Sequence, residues 1–316
     1  MSIPSPGASY FDLGPLRIHF YALFILAGIA VVVWLASRRL VQRGGPPGVV
    51  LDIALWAVPF GIVGGRFYHV ATHPSDYFFP GANLLRVFAV WEGGLAIFGA
   101  ILLGGVGAYI ASRRSGIRFL SFADALAPGM LIAQAMGRLG NYFNHELFGA
   151  PTTLPWGLQI ESTNPVFPAG LPAGTLFQPL FLYEMLWNLT GVAVILLVER
   201  RVSLRWGKAI GLYFIWYGIG RTWLEALRLD PTEYQLLGLK INMVTAMTIT
   251  LIGLVLILVQ LRRHPQPESS IYLPGRDPSA VVPSSTVEPV ALPKIKEQDR
   301  PTASSRRDTP TTTSEG

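Results

Sequence analysis

The chain has 316 residues, of which 51% are hydrophobic and 14% charged, with a net charge of +6 and no cysteine. Soluble domains carry about a quarter charged residues, so much of this surface must face something other than water. The composition therefore indicates an integral membrane protein. The missing cysteine excludes disulfide scaffolds, thiolate metal sites and cysteine nucleophiles.

Charged and apolar residues are distributed differently on the two sides of His264. Residues 265–316 carry six Lys/Arg and seven Asp/Glu, whereas the first 264 residues carry 19 basic and 12 acidic ones. The stretch 265–316 is rich in Pro, Ser and Thr, and its apolar content is too low to offset the entropy of folding. We therefore expect a disordered tail over 265–316 and a folded domain over 1–264.

Seven segments are long and apolar enough to cross a bilayer as helices, which takes about 20 residues each. In chain order they are 18–37, 49–69, 87–111, 122–140, 179–198, 208–227 and 242–261. The first is not a cleaved signal peptide, because no basic stretch precedes it and no small-residue cleavage site follows before Arg38. The sequence predicts an all-α integral membrane protein with seven transmembrane helices.

Basic residues in short loops predict the orientation of these helices, because they mark the cytoplasmic side. They follow the first, third, fifth and seventh segments, whereas 70–85 and 141–178 contain none. The basic positions are Arg38, Arg39, Arg43, Arg113, Arg114, Arg118, Arg200, Arg201, Arg205, Lys208, Arg262 and Arg263. We therefore expect the N-terminus outside and the tail in the cytoplasm.

The connection 141–178 is long for a loop and contains five Pro and four Gly. Such loops are usually functional or form a small subdomain. We expect an extracytoplasmic loop or head between the fourth and fifth helices. An ordered cap over the helix ends is the simpler interpretation, and both descriptions can hold together.

Polar residues cluster near the outer ends of several predicted helices. Burying an ionisable group in a membrane helix costs free energy, so such a residue indicates a structural or functional role. The sixth segment ends with Tyr217, Arg221, Glu225 and Arg228, whose spacing of four, four and three places them on one helix face. For this helix alone, the charged residues are explained if Arg221 pairs with Glu225 and the side chain of Arg228 extends to the membrane surface.

That simple interpretation fits less well once other segments are included. Arg66, Arg138 and Glu146 are predicted to lie at the same outer level. Arginines beside carboxylates at headgroup depth indicate a phosphate-binding cavity, because a guanidinium can hold two phosphate oxygens at once. His69, His73 and His264 lack the spacing of metal ligands, and we expect neither a metal site nor a cofactor.

The thirteen residues from Gly137 to Gly149, GRLGNYFNHELFG, resemble the signature of the prolipoprotein diacylglyceryl transferases, G-R-x-x-N-(F/Y)-x-N-x-E-x-x-G. The resemblance extends over about residues 12–262. Further similar segments are Ala123-Asp124, Trp91-x-Gly93-Gly94, Tyr183-Glu184 and the run from Tyr217 to Arg228.

The resemblance implies seven spans and a reaction in the bacterial cell membrane with the active site toward the extracytoplasmic face. A diacylglyceryl group passes from phosphatidylglycerol to the lipobox cysteine of a preprolipoprotein, which forms a thioether and releases glycerol 1-phosphate. The implied partners are these two substrates and membrane lipids, with no nucleic acid. The residues expected to act in catalysis are Tyr21, Arg138, Asn141, Glu146, Arg221 and Glu225. Those expected to bind phosphatidylglycerol are Gly93, Gly94, Arg138, Asn144, Gly149, Tyr217, Arg221 and Arg228.

Two positions depart from the family pattern. Phe98 and Gln178 stand where many members have histidine, so the base that accepts the thiol proton is open. His145, Glu146 and Glu225 are candidates, and stabilisation of the thiolate by the arginines alone is another possibility. The competing functions are a transporter or channel for anions or lipids and a membrane scaffold that uses the tail.

Overall fold

The computed structural model describes residues 2–229, 235–236 and 238–278, and this part of the chain contains seven α-helices. They are α1 Phe20–Gln42, α2 Val49–Thr72, α3 Ile97–Arg114, α4 Phe119–Phe143, α5 Leu180–Arg201, α6 Lys208–Ala226 and α7 Ile241–Arg263. Each of the seven segments predicted from the sequence thus contains one helix.

Five of these helices, α1, α2, α4, α5 and α7, are long and apolar enough to cross a membrane. Their outer surfaces agree with this, because large apolar side chains such as Leu26 on α1 and Leu251 on α7 are 62% and 59% exposed. The remaining two, α3 and α6, have 18 and 19 residues. The structure is that of a multi-pass membrane protein.

The third helix begins about ten residues later than the sequence predicts. Residues 84–92 form two short 3₁₀ turns, and α3 starts at Ile97. Between them, Gly93 and Gly94 have φ angles of +87° and +70°, a conformation that interrupts a right-handed helix. The apolar content of 87–96 indicated a helix, but these two glycines break it.

Three small hairpins accompany the helices. The antiparallel strands are β1 Tyr10–Leu13 with β2 Leu16–His19, β3 Leu158–Gln159 with β4 Leu176–Phe177, and β5 Gln235–Leu236 with β6 Leu239–Lys240. Residues 141–178 hold the second hairpin, whose Leu158 and Phe177 pack with Phe148 and Ile160 in a small separate core. Ile3 adds a parallel bridge to Leu158.

Close contact between α2 and α3 depends on glycine. A Cβ atom built on Gly64 would lie 2.3 Å from the carbonyl oxygen of Gly99, so even a methyl group would force the helices apart. This contact is helix packing of the small-residue kind.

Residues 265–277, which the sequence assigns to the disordered tail, pack against the helix ends. Ile271 is buried together with Leu40 and Ile53, and its carbonyl accepts a hydrogen bond of 2.9 Å from the N–H of Arg118. The sequence pattern missed this because a single buried isoleucine produces no periodicity. Most of the expected tail, 279–316, lies outside the described residues.

Candidate active site

The end of α4 and the turn after it hold a chain of four polar side chains. Arg138 donates from Nη1 to Oδ1 of Asn141 at 2.8 Å. Asn141 in turn donates to Oε1 of Glu146 at 2.8 Å, and Asn144 donates to the same oxygen at 3.2 Å. Glu146 therefore fixes both asparagines, and Asn141 positions the guanidinium of Arg138.

A second carboxylate holds Arg138 from another helix. Oε2 of Glu184, on α5, lies 2.5 Å from Nε of Arg138, and their side chains are 10% and 24% exposed. Since the guanidinium carries five N–H donors, the contacts with Glu184 and Asn141 leave donors for a further acceptor.

The end of α6 carries a buried cluster of charges. Glu225, whose side chain is 3% exposed, lies 2.8 Å from Nη2 of Arg221 and 3.7 Å from Nη1 of Arg228. Asn242, at the start of α7, donates to Oε1 of Glu225 at 2.9 Å. The i,i+4 pairing of Arg221 with Glu225 is the one that the helix spacing predicted, and it fixes Arg221 for contact with a ligand.

The two arginines line one cavity of about 220 Å³ between α3, α4, α5 and α6. Its polar walls are formed by Gln134, Arg138, Glu184, Asn188, Tyr217 and Arg221. Arg138 and Arg221 come from helices that are separate in the sequence. The cavity therefore offers two guanidinium groups to one anionic group.

A larger groove of about 530 Å³ borders the same arginine on its other side. Its walls are largely aliphatic, with Ile25, Ile29 and Val33 of α1 among them, and Arg138 and Asn141 lie at its polar end. Tyr21 also lines this groove, and its ring packs against Gly140. Arg138 thus separates an apolar groove from a polar cavity.

Gly149 acts through its backbone. It forms an antiparallel bridge with Arg228, and a Cβ atom at this position would lie 2.8 Å from Cβ of Gln178. A side chain at Gly149 would therefore push the loop after α4 away from Gln178 and from the end of α6, where the carbonyl oxygen of Leu227 would lie 3.0 Å from the same Cβ atom.

Gly93 and Gly94 lie beside Arg66, and they line neither the cavity nor the groove. The guanidinium of Arg66 donates to Gly93 O at 2.7 Å, to Val87 O at 2.7 Å and to the carbonyl oxygen of Arg86. Arg66 is 6% exposed, so its donors serve the connection between α2 and α3. Arg66 therefore does not line the cavity with Arg138, although the sequence placed both at the same outer level.

A model of the prolipoprotein diacylglyceryl transferase family matches residues 8–259. This chain belongs to that family. A protein of Leifsonia xyli subsp. xyli named phosphatidylglycerol–prolipoprotein diacylglyceryl transferase is 54% identical over 301 residues, which cover 91% of this chain and 90% of its own. A protein of Paenarthrobacter aurescens with the same name is 48% identical over 85% of this chain and 86% of its own. A Streptomyces coelicolor protein with that name and the number 2 is 47% identical over 86% of this chain and 85% of its own.

The two positions where many transferases of this family have histidine hold structural side chains here. Phe98 is 43% exposed, with its ring 6.2 Å from that of Tyr68. Gln178 accepts a hydrogen bond of 2.8 Å from the hydroxyl of Tyr183 and donates to Thr152. Neither residue lines the cavity or the groove.

His145 is also occupied by structural contacts. Its Nδ1 lies 3.0 Å from the carboxylate of Glu161, and its Nε2 lies 2.9 Å from the carbonyl oxygen of Pro6. Partial burial alone would raise the pKa of Glu161. Hydrogen bonds from its own backbone N–H and from His145 have the larger combined effect, so the pKa of Glu161 lies below its ordinary value. His145 holds the N-terminal segment on the loop and is absent from the walls of the cavity.

The sequence analysis gave no role to three polar residues that line the cavity. Glu184 stood in a segment noted only for family resemblance, and neither Asn188 nor Gln134, which donates to the hydroxyl of Tyr213 at 2.8 Å, was singled out. The signal for Glu184 was available, since a carboxylate inside an apolar helix needs a partner. Among the described residues no group of three or more acidic or histidine side chains could hold a metal ion.

Proposed function

We propose that this chain transfers the diacylglyceryl group of phosphatidylglycerol to the lipobox cysteine of preprolipoproteins, with release of glycerol 1-phosphate. The observation that carries the proposal is the shared cavity, which Arg138 and Arg221 line from different helices. The chain's family and the names of its relatives support the same reaction.

The leaving group explains the need for two arginines. When the glycerol carbon is transferred to sulfur, the bond from carbon to the phosphate oxygen breaks and a second negative charge develops on the phosphate. Cationic donors that are already in place stabilise that charge without reorganising. Arg138 and Arg221 are held in this way by Glu184, Asn141 and Glu225.

The remaining site residues position the lipid in this proposal. Tyr21 and the aliphatic wall of the groove receive an acyl chain, because Arg138, where the phosphate would lie, lines both the groove and the cavity. Asn144 and Glu146 keep Asn141 in place, Tyr217 forms part of the cavity wall, and Gly149 joins the loop to Arg228.

We also propose seven membrane spans, an extracytoplasmic N-terminus and an active site that opens toward that side of the bacterial cell membrane. The support is the distribution of charge. Basic residues are concentrated at the helix ends where residues 265–277 pack, and the arginines of the cavity lie near the opposite ends of α4 and α6. The positive-inside rule assigns the first set to the cytoplasm. Among the described residues, no contact favours the transporter alternative.

The decisive experiment uses purified protein, phosphatidylglycerol labelled in its glycerol backbone, and a lipobox peptide with cysteine or serine. Label should pass only to the cysteine peptide. Arg221→Lys should lower kcat by about 10²–10³, the usual loss when one preorganised donor is removed, because lysine cannot bind two oxygens in a fork.

Arg17→Lys is the matched control, because Arg17 is exposed and lies outside the site: it contacts Asp12 at 3.2 Å, and its guanidinium carbon lies 4.1 Å from the ring centroid of Tyr10. It should leave kcat unchanged. Full activity of Arg221→Lys would contradict the bidentate role of Arg221, and equal labelling of the serine peptide would contradict the transferase proposal.

A further inference from the structure

The cavity that holds the two arginines contains a single carboxylate. Among all of its lining residues, Glu184 is the one acidic side chain, and no histidine is present. The other two carboxylates of the site have their own partners. Glu146 accepts hydrogen bonds from the side-chain amides of Asn141 and Asn144. Glu225 contacts Arg221, Arg228 and Asn242. Neither Glu146 nor Glu225 lines the cavity.

A cysteine thiol requires a proton acceptor if it is to attack at neutral pH, because its ordinary pKa is about 8.5. The histidines that could serve elsewhere in the family are replaced by Phe98 and Gln178, and His145 contacts Glu161 and Pro6. The acceptor must also lie within hydrogen-bond reach of the sulfur. Only a group in the wall of the cavity can satisfy this condition while the phosphate is bound by Arg138 and Arg221.

We propose that Glu184 accepts the proton of the lipobox thiol, an inference that rests on the proposed transfer reaction. The S–H proton moves to the carboxylate of Glu184, and sulfur forms a bond to the glycerol methylene carbon. The bond from that carbon to the phosphate oxygen breaks, and its electron pair leaves with glycerol 1-phosphate. Glu184 then returns its proton to water or to the departing phosphate.

The contact between Glu184 and Arg138 suits this role. Glu184 meets the Nε edge of the guanidinium at 2.5 Å, and Asn141 meets Nη1, so N–H donors on the same plane are left for the phosphate. A phosphate that binds these remaining donors would lie at a different edge of the guanidinium from Glu184. Base and leaving group would then lie at two edges of one arginine.

The test compares two nucleophiles in the Glu184→Gln variant. A selenocysteine lipobox peptide needs no base, because a selenol is already ionised at neutral pH. With the cysteine peptide, E184Q should reduce kcat by at least about 10², the lower range for a lost general base. With the selenocysteine peptide, the reduction should be less than about tenfold, because only the positioning of Arg138 is affected.

Glu146→Gln is the matched control. It removes the same charge from the same polar chain, but Glu146 lies outside the cavity, so it should slow both peptides by the same factor. An equal loss for both peptides in E184Q, or full activity with cysteine, would overturn the role of Glu184. If E184Q does not fold, Glu184→Asp decides: its shorter carboxylate should slow the cysteine peptide more than the selenocysteine peptide, and an equal loss for both would contradict the inference. Failure of the wild-type protein with both peptides would instead reject the transfer reaction.

Discussion

Glu225 is the residue on which the charges at the end of α6 depend. Its carboxylate is almost fully buried between Arg221 and Arg228 and accepts a hydrogen bond from Asn242 on the next helix. Buried pairs contribute little net stability when compared with apolar residues, but breaking one is costly because the remaining charge stays without its partner.

Glu225→Gln should therefore destabilise the protein by about 3–5 kcal/mol, the usual cost of breaking a buried ion pair. Arg221 would also lose the contact that holds it in the cavity wall, so kcat should fall together with stability. Chemical denaturation in detergent and the transfer assay measure the two effects.

Glu92→Gln provides the comparison, because Glu92 pairs with Arg86 at 3.1 Å while its side chain is 45% exposed. An exposed pair contributes at most about 1 kcal/mol, so this variant should resemble the wild type. Equal losses in the two variants would show that burial of Glu225 is not the cause.

The sequence predicted one of these contacts, between Arg221 and Glu225, and the contacts that it missed have a physical cause. Helix spacing alone predicted that Arg221 and Glu225 share a face, and the structure confirms their contact. Arg66 is also an arginine near the outer end of a predicted helix, and the sequence grouped it with the site. Its partners are instead backbone carbonyls of the connection between α2 and α3. Backbone acceptors depend on how a loop folds, and the identities of its residues do not reveal them.

At the scale of elements, the two helices that supply the arginines are also joined at their other ends. Asp124 on α4 is completely buried and accepts hydrogen bonds from the N–H groups of Gly207, at 2.7 Å, and Ile210, at 2.9 Å. Gly207 immediately precedes α6 and Ile210 lies in its first turn, so neither N–H has an acceptor within the helix. A side chain of α4 therefore caps α6.

Asp124→Asn should lower stability by about 1–3 kcal/mol, because an amide NH₂ would face one of these two N–H groups and leave it without an acceptor. Hydrogen exchange at residues 207–211 should become faster. Asp52→Asn serves as control, since Asp52 is an exposed residue in the first turn of α2. Unchanged exchange at 207–211 in the Asp124 variant would contradict the capping role.

Helix positions were predictable because an apolar stretch of about 20 residues has few alternatives to forming a membrane-spanning helix. The start of α3 and the three hairpins were not. Strands of two to four residues produce no clear alternation, and Gly93 and Gly94 interrupt an otherwise apolar segment. Family resemblance located the signature, but it did not indicate that Glu184 on α5 reaches Arg138 on α4.

At the scale of the molecule, residues 265–277 connect the ends of several helices. Glu268 accepts a hydrogen bond from Ser121, Tyr272 donates to the carbonyl of Gly44 at 3.2 Å, and Leu273 donates to the carbonyl of Gly116 at 2.8 Å. The segment thus belongs to the folded unit, although it follows the last helix.

A chain ended after His264 should be less stable than one ended after Pro278. The shorter form loses buried Ile271, and removing one such side chain costs at least about 2 kcal/mol. The longer form should keep the stability and the transfer activity of the full chain. Melting temperatures of the three proteins in one detergent provide the measurement, and equal values for the two truncated forms would contradict a stabilising role for 265–277.

The position of Arg138 between the apolar groove and the polar cavity has a practical consequence. A surfactant molecule whose alkyl tail enters the groove would leave its headgroup beside the guanidinium. Anionic surfactants would then act as competitive inhibitors at concentrations that leave the fold intact. Loss of activity after extraction into such micelles would reflect an occupied site rather than denaturation, and exchange into a nonionic surfactant would restore it.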